Sequence, residues 1–511
     1  MNDSFYITTA ISYVNGRPHI GHAYEFVATD AIARYHRLKG EDVFYLSGVD
    51  EHSAQVEKAA KDEGLPTQEY CDRMAVVFKD LHNKLGTKLN DFIRTSEPRH
   101  HDTTKEMLRR SNENGDIYKD KYAGYYCYAC EAFYQEGDLQ EGKCPVHHRP
   151  AEWMEQENYF FRLSAFTERL QQYYRENPQF VWPEGYKNEM LALMDRGLQD
   201  ISISRSTTQW GIPLPWDPSH VSYVWFDALS NYLTGVGFLK DEALFAKFWP
   251  ADMHVIGKDI NRFHSVFWPA MLMSAGLPLP KQVLVHGFIY HRGEKMSKTI
   301  GNVVDPFSLL DVYGRDSLRY FLLREIAYGQ DGNYSEDSLI NRYNADLAND
   351  LGNLFSRSLS MIKKYCAGVV PHPASLDDPI RDKMQAAIAK YKEQMECCSI
   401  HQALGAVWDL ISYANRYIDE KAPWALAKDE AKRGELDCVL LNLAETLRVC
   451  AVLIHPIMPE TSMEMLKRLA CPVESDHPLL TDLDVANPCA GKNVEAGPAL
   501  FPRLQANGGK A

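Results

Sequence analysis

The N-terminal stretch restricts the fold more than any other part of the chain. An apolar, β-prone run from Phe5 to Ile11 gives way to a turn at Asn15-Gly16-Arg17-Pro18. A helical pattern follows, carrying Val27, Ala28, Ala31, Ile32 and Tyr35 toward one side, and a second apolar run, Val43 to Leu46, ends in Ser47-Gly48-Val49-Asp50. Strand, helix, strand is a crossover unit, and a crossover of this length joins parallel strands. The fold class is therefore α/β with a parallel sheet, whose ligands sit beyond the carboxyl ends of the strands.

At 511 residues the chain exceeds one ordinary core, since single domains run to roughly 100–200 residues. From about Tyr118 to Gln209 aromatics, cysteines and short polar turns replace the strand and helix alternation, which reads as an insertion. Strand-like runs resume at Met253 to Ile256 and Val283 to Val285, so the sheet is completed after the interruption. Beyond Asp316 the pattern is helical, with Leu347, Leu351, Leu354 and Phe355 on one face and later helices containing Trp408, Leu410, Leu440 and Leu447. The expected division is 1–117 and 210–290 for the two halves of the sheet domain, 118–209 for the insertion, 291–345 for a connecting region and 346–511 for a helical bundle.

No run of 18 apolar residues exists and the N-terminus lacks a signal-peptide pattern, so no membrane span and a cytoplasmic location are expected. Eleven cysteines, an odd number spread along a long chain, fit reduced thiols better than a disulfide framework. The net charge of -14 excludes a generic nucleic-acid coat, so any RNA partner must be recognised by local patches.

Pro18-His19-Ile20-Gly21-His22 lies between the first strand and its helix. If the helix starts near Pro18, His19, His22 and Glu25 project on neighbouring parts of one face, and Gly21 leaves that face open to a flat ring. A helix N-terminus offers unpaired N–H groups to phosphates, and imidazoles add donors there. Two histidines in a turn are ordinary surface residues by themselves; their place after the first strand of an α/β sheet makes them a candidate site. Far downstream, Gly293-Glu294-Lys295-Met296-Ser297-Lys298-Thr299-Ile300-Gly301 sets two lysines three apart in a loop bracketed by glycines. Such a loop can close over a triphosphate and deliver ammonium charge as the transition state forms.

Together the two elements resemble the HIGH and KMSKS signatures of class I aminoacyl-tRNA synthetases, with Thr299 in place of the usual final Ser. The resemblance implies a Rossmann-type catalytic domain in which an amino-acid carboxylate attacks the α-phosphorus of ATP, Mg²⁺ accompanying the nucleotide. The aminoacyl group then passes to the terminal adenosine of tRNA. His19, His22, Lys295 and Lys298 would stabilise the phosphates, with Gly21, Glu25, Gly257 and Asp259 completing the ATP site and Asp259 contacting the ribose.

The segments Val224 to Tyr232 and Gly257 to His264 look like the pocket-forming elements of the methionyl branch. By position in that resemblance Asp50 would bind the amino group, while Ile11, Tyr13, Trp225, Ala228, Tyr232, Ile260 and His264 would shape the side-chain pocket. Ala10 and Ser12 depart from the Pro and Tyr of many relatives. The inventory suits methionine, because sulfur packs well against aromatic edges and a carboxylate can hold the α-ammonium. Leucyl, isoleucyl and valyl enzymes normally carry a large editing insertion, for which 511 residues leave too little space. Cysteinyl enzymes place their zinc ligands differently. A pocket that senses one methylene by roughly 1–3 kcal/mol would admit some homocysteine.

Cys127-x-x-Cys130, then thirteen residues, then Cys144-x-x-His147, is a four-ligand spacing suited to tetrahedral zinc, with His148 an alternative to His147. Four protein ligands leave no open position, so a structural Zn²⁺ is expected. In the helical region Asp346, Asp350, Asn353 and Arg357 recur at helical spacing opposite the leucine face. Asn353, Arg357 and Trp424 match positions that methionyl enzymes use for the anticodon of tRNA(Met), the indole for stacking and the amide and guanidinium for base edges. The chain stops soon after the helical region, which leads us to expect a monomer. A nucleotidyltransferase of similar fold has no need of the knuckle or the bundle, and a non-catalytic RNA-binding relative has no need of His19, His22, Lys295 and Lys298.

Overall fold

In the computed structural model, which describes residues 4–127, 132–134, 136–145, 148–296, 301–373, 378–473, 475–484 and 487–505, the first strand β1 (Ser4–Thr9) is followed by a short strand β2 (Ser12–Tyr13) and a long helix α1 (Ile20–Leu38). Next come β3 (Asp42–Asp50), β4 (Asp91–Arg94) and helix α2 (Pro98–Glu113). The crossover read from the sequence is present: β1 and β3 pair in parallel, Ser4 opposite Asp42 through Thr8 opposite Leu46. β1 stops at Thr9, short of the expected Ile11, whereas β3 runs further than its apolar core, continuing through Ser47-Gly48-Val49-Asp50 and pairing there with β2. Alternate residues of β1 enter different cores, Phe5 and Ile7 on one side and Tyr6 on the other. That is the two-sided burial of a parallel sheet.

After α2 the chain leaves the sheet. Two long antiparallel strands, β5 (Ile117–Cys127) and β6 (Glu152–Phe161), form the centre of the insertion. The chain then returns through β7 (Val181–Trp182), helix α3 (Val224–Leu229), β8 (Met253–Gly257) and β9 (Val283–His286). The sheet order is β4-β3-β1-β8-β9-β7, with every neighbouring pair parallel. From β1 the chain winds outward one way through β3, and from β8 it winds the other way through β9. The order reverses between β1 and β8, so their carboxyl ends diverge and leave a crevice there.

The helical region contains α4 (Arg315–Glu325), α5 (Asn353–Cys366), α6 (Pro379–Glu396), α7 (Ile400–Lys421), α8 (Arg433–Ile454) and α9 (Pro459–Arg468). Leu347, Leu351, Leu354 and Phe355 are buried, as their spacing predicts. Asp346 differs from the expected polar stripe: it too is buried, accepts a hydrogen bond from the Tyr320 hydroxyl at 2.6 Å, and offers its backbone carbonyl to the Trp408 indole N–H. The ten residues Tyr343–Gly352 wind as a π-helix, which turns Asp346 inward. No described helix is long and apolar enough to cross a membrane.

Candidate active site

The crevice between β1 and β8 opens into a cavity of about 350 Å³. The residues just beyond each strand line it: Ile11 and Tyr13 after β1, Asp50 ending β3, Asp259 and Ile260 after β8. The start of α1 forms one wall, where the structure revises the sequence expectation. The helix begins at Ile20, and His19 is its extended N-cap rather than a residue on its face. His19 Nδ1 accepts from the Gly21 N–H at 3.0 Å, and His22 Nδ1 accepts from the His19 N–H at 3.1 Å. With each Nδ1 engaged as acceptor, each ring carries its proton on Nε2, and both rings line the cavity as donors. A Cβ on Gly21 would stand 2.8 Å from the His19 ring, so a larger residue would break this cap.

Glu25, in the second turn of the helix, faces His286 at the end of β9, with 2.9 Å between Oε2 and Nε2. His286 Nδ1 donates to the Gly287 carbonyl at 2.8 Å, so both partners of the imidazole are acceptors. A proton must therefore sit between Glu25 and His286. Burial raises the Glu25 pKa, and for His286 the Glu25 carboxylate outweighs an opposing burial effect and raises it too. Both directions describe one retained proton.

Gly257 and Asp259 line the same cavity, and a Cβ on Gly257 would come within 2.9 Å of Asp259 Oδ1. Lys295 reaches it from a two-residue strand paired with Tyr290 and His291, its Nζ 4.7 Å from the Phe288 ring centroid. Lys298 lies outside the described residues, as do Ser297 and Thr299.

Aromatic packing shapes the deep end. Trp225 stacks on Phe263 with centroids 4.0 Å apart and meets Tyr13 edge-on at 6.3 Å. Ala228 and Tyr232 follow on the same segment, and His264 closes the end. The Tyr232 hydroxyl lies 2.7 Å from His264 Nε2, and burial lowers the His264 pKa to about 4. Asp50 is 2% exposed, and the His52 N–H lies 3.3 Å from its Oδ1. Every described residue predicted for nucleotide or methionine thus borders one cavity.

Sequence reading missed His286 and Phe288, which border the cavity as well. Their place at the carboxyl end of an apolar run was the available signal. It also missed the fully buried Asp227, whose carboxylate accepts from His52 Nδ1 and His100 Nε2, each at 2.7 Å. Burial opposes ionisation there, yet the two imidazoles hold the Asp227 pKa well below the ordinary carboxylate range.

The remaining predicted residues lie elsewhere. Arg357 and Trp424 border one shallow depression with Met361, and Asn353 is exposed one turn earlier on α5. Arg357 is ion-paired to Asp419 at 2.7 Å. Of the expected knuckle, Cys127 ends β5 and Cys144 lies in a turn, both buried, while Cys130 and His147 fall outside the described residues. Among the described residues no three candidate ligands come together.

Known proteins match this architecture along its whole length. Residues 5–151 and 136–359 match the family described as tRNA synthetases class I (M), and residues 371–509 match the anticodon binding domain of methionyl tRNA ligase. A methionine–tRNA ligase of Rhizobium meliloti (strain 1021) is 48% identical over 98% of this chain and 98% of its own. One of Caldanaerobacter subterraneus subsp. tengcongensis is 47% identical over 99% of this chain and 79% of its own. The Mycobacterium tuberculosis methionyl-tRNA synthetase solved in complex with methionyl-adenylate superimposes with a TM-score of 0.95, at 43% identity over 98% of this chain and 100% of that one. The chain belongs to the methionyl family of class I tRNA synthetases.

Proposed function

We infer that the chain is a methionine–tRNA ligase, forming methionyl-adenylate from methionine and ATP and passing methionine to the 3′-terminal adenosine of tRNA(Met). The observation that carries this reading is the single cavity at the sheet's switch point, which brings His19, His22 and Lys295 together with Asp50, Trp225 and His264. The solved relative holding methionyl-adenylate supports the same chemistry.

No protein nucleophile is needed. Asp50 would anchor the α-ammonium and the aromatic end would take the thioether, aiming the carboxylate at the α-phosphorus. The Nε2–H groups of His19 and His22 would bind phosphate oxygens as pyrophosphate leaves, joined by the ammonium groups of Lys295 and Lys298. Because these groups stabilise charge that grows toward the transition state, they act chiefly on kcat. Mg²⁺ bound to the triphosphate would screen its charge; Glu25 and Asp259 are carboxylates within reach of that space. Asn353, Arg357 and Trp424 would read the anticodon. Cys127, Cys130, Cys144 and His147 would hold one structural zinc, supported by the burial of Cys127 at the end of β5 and of Cys144 in a turn whose Gly142, Lys143 and Arg149 are exposed. We keep the division at 117, 209, 290 and 345 as a working map, and reduced thiols favour the cytoplasm.

Pyrophosphate exchange measured with each amino acid tests the reading. Exchange dependent on methionine, with weaker activity on homocysteine, is the expected result. Exchange with a different amino acid, or with none, overturns it.

A further inference from the structure

Asp227 belongs to no part of the chemistry above, yet it is a fully buried carboxylate beside the site with an imidazole on each oxygen. It lies on α3 between Trp225 and Ala228, both cavity residues. Its side chain turns away from the cavity and accepts from His52 Nδ1 and His100 Nε2. His52 follows Asp50 by two residues, and its own N–H lies 3.3 Å from the Asp50 carboxylate. One ring therefore links the carboxylate expected to bind ammonium to the helix that forms the side-chain wall.

The surroundings leave that link little freedom. Asp227 and His100 are fully buried and His52 is 7% exposed. The ring of His52 meets Trp210 edge-on at 5.4 Å, and the Trp210 indole N–H donates to the Glu51 carbonyl at 2.6 Å. The Glu51 N–H donates to Thr95 Oγ1 at 2.9 Å, fixing the segment from the other side. On α2, His100 Nδ1 stands 3.2 Å from the Thr234 hydroxyl, just beyond Tyr232. A carboxylate can accept from both imidazoles at once, whereas an amide of the same shape has one acceptor: it would turn its NH2 on one ring, force that ring into the other tautomer and lose the negative charge that strengthens both bonds.

We propose that Asp227 is a positioning residue that, through His52, sets the distance between the ammonium anchor Asp50 and the pocket wall carrying Trp225. The inference rests on the reading of Asp50 and Trp225 as methionine-binding groups. An amino acid is gripped at two points, and selectivity for its length depends on the spacing of those points. Nothing in the link touches the phosphate end of the cavity. Its loss therefore acts on methionine and spares ATP, whereas a general loosening of the fold would act on both.

Pyrophosphate exchange with Asp227→Asn, His52→Gln, their combination and Asp50→Asn tests this. Asp227→Asn is expected to raise the methionine KM by about tenfold, the factor carried by one charged hydrogen bond, with the ATP KM moving less than about twofold. His52→Gln should reproduce that split, and the combined variant should be no worse than the weaker single one, since both remove the same contact. Equal changes in both KM values, additive losses, or an unchanged methionine KM overturn the proposal. If Asp227→Asn fails to fold, His52→Gln decides alone by the same criteria. If Asp50→Asn binds methionine as the parent does, the anchor reading falls and takes this inference with it. If Asp50→Asn is impaired while Asp227→Asn and His52→Gln are not, only the positioning role falls.

Discussion

The Tyr232 hydroxyl lies 2.7 Å from His264 Nε2, while His264 Nδ1 lies 3.0 Å from the Ile260 carbonyl. A carbonyl only accepts, so Nδ1 carries the ring proton and Tyr232 donates to Nε2. The end of the amino-acid pocket is then a neutral imidazole with both nitrogens satisfied, suited to a thioether and unfavourable to a charged side chain. Tyr232→Phe removes the donor and leaves a buried nitrogen unpaired, a loss of about 1–3 kcal/mol. Its methionine KM should rise about tenfold or more with the ATP KM unchanged. Equal methionine KM values for variant and parent would show that the hydroxyl has no part in the pocket.

Zinc is the expectation for the insertion, and it is directly measurable. Purified chain should contain one equivalent of zinc by elemental analysis, and Cys127→Ser should lower that content and destabilise the insertion, because a structural site contributes its binding energy to folding. Full-length parent chain containing no thiophilic metal would remove the knuckle from consideration.

Trp424 is 44% exposed, a high value for an indole, and it shares a depression with Arg357. Stacking on an aromatic ring contributes about 1–3 kcal/mol per base. Trp424→Ala is therefore expected to lower kcat/KM for tRNA by at least about tenfold while leaving pyrophosphate exchange intact. A variant impaired equally in both assays would mean that the indole serves the fold.

The crossover unit, the interruption of the sheet and the helical end were legible because each depends on local periodicity. The site was legible where a motif fixes it: His19, Gly21 and His22 on one segment, Trp225 to Tyr232 on another. The start of α1 was misplaced because an imidazole in place of Ser, Thr, Asp or Asn serves as its N-cap. Asp346 was assigned to solvent because regular helical spacing was assumed where the helix widens. His286 and Asp227 escaped for a different reason. Their partners are 261 and 127 residues away in the chain for Glu25 and His100, and no local pattern reports such pairings.

Among the described histidines burial lowers the pKa most for four, His82 and His455 to about 3, His264 to about 4, and His254 well below the ordinary value. Below pH 6.5 the unfolded chain protonates these imidazoles and the folded chain does not. Their contribution is thus fully present above pH 6.5 and is lost as pH falls toward 4, by about 1.4 kcal/mol per pH unit for each ring. Glu25, Asp316 and Asp350, whose carboxyls burial pushes up, work in the opposite sense, but three carboxyls do not offset these four imidazoles together with the like shifts of His101, His220 and His401. The unfolding temperature should fall steadily from pH 6.5 to 4. A flat profile over that window would show that these rings are not held neutral.

Arg319 is fully buried and pairs with Asp30 of α1 at 2.7 Å. Its Nε donates to the Ile457 carbonyl at 2.7 Å, Nη2 to Pro456 at 2.9 Å and Nη1 to Leu85 at 3.2 Å. One guanidinium thereby fastens the first helix of the sheet domain to the turn between α8 and α9 in the bundle. Burial opposes ionisation of Asp30, but Arg34 and Arg319 lower its pKa to about 2, so the carboxylate stays charged across the working pH range. Removing the cation leaves Asp30 with Arg34 alone as its ion pair and strips three carbonyls of their donor, at a cost of about 3 kcal/mol or more. Lysine cannot repair the loss, because a point ammonium does not span the fork of acceptors. Arg319→Met and Arg319→Lys are both expected to unfold at lower denaturant concentration, with the bundle separating from the sheet domain as a distinct transition. A single transition at the parent's midpoint would mean that apolar packing alone holds the two together.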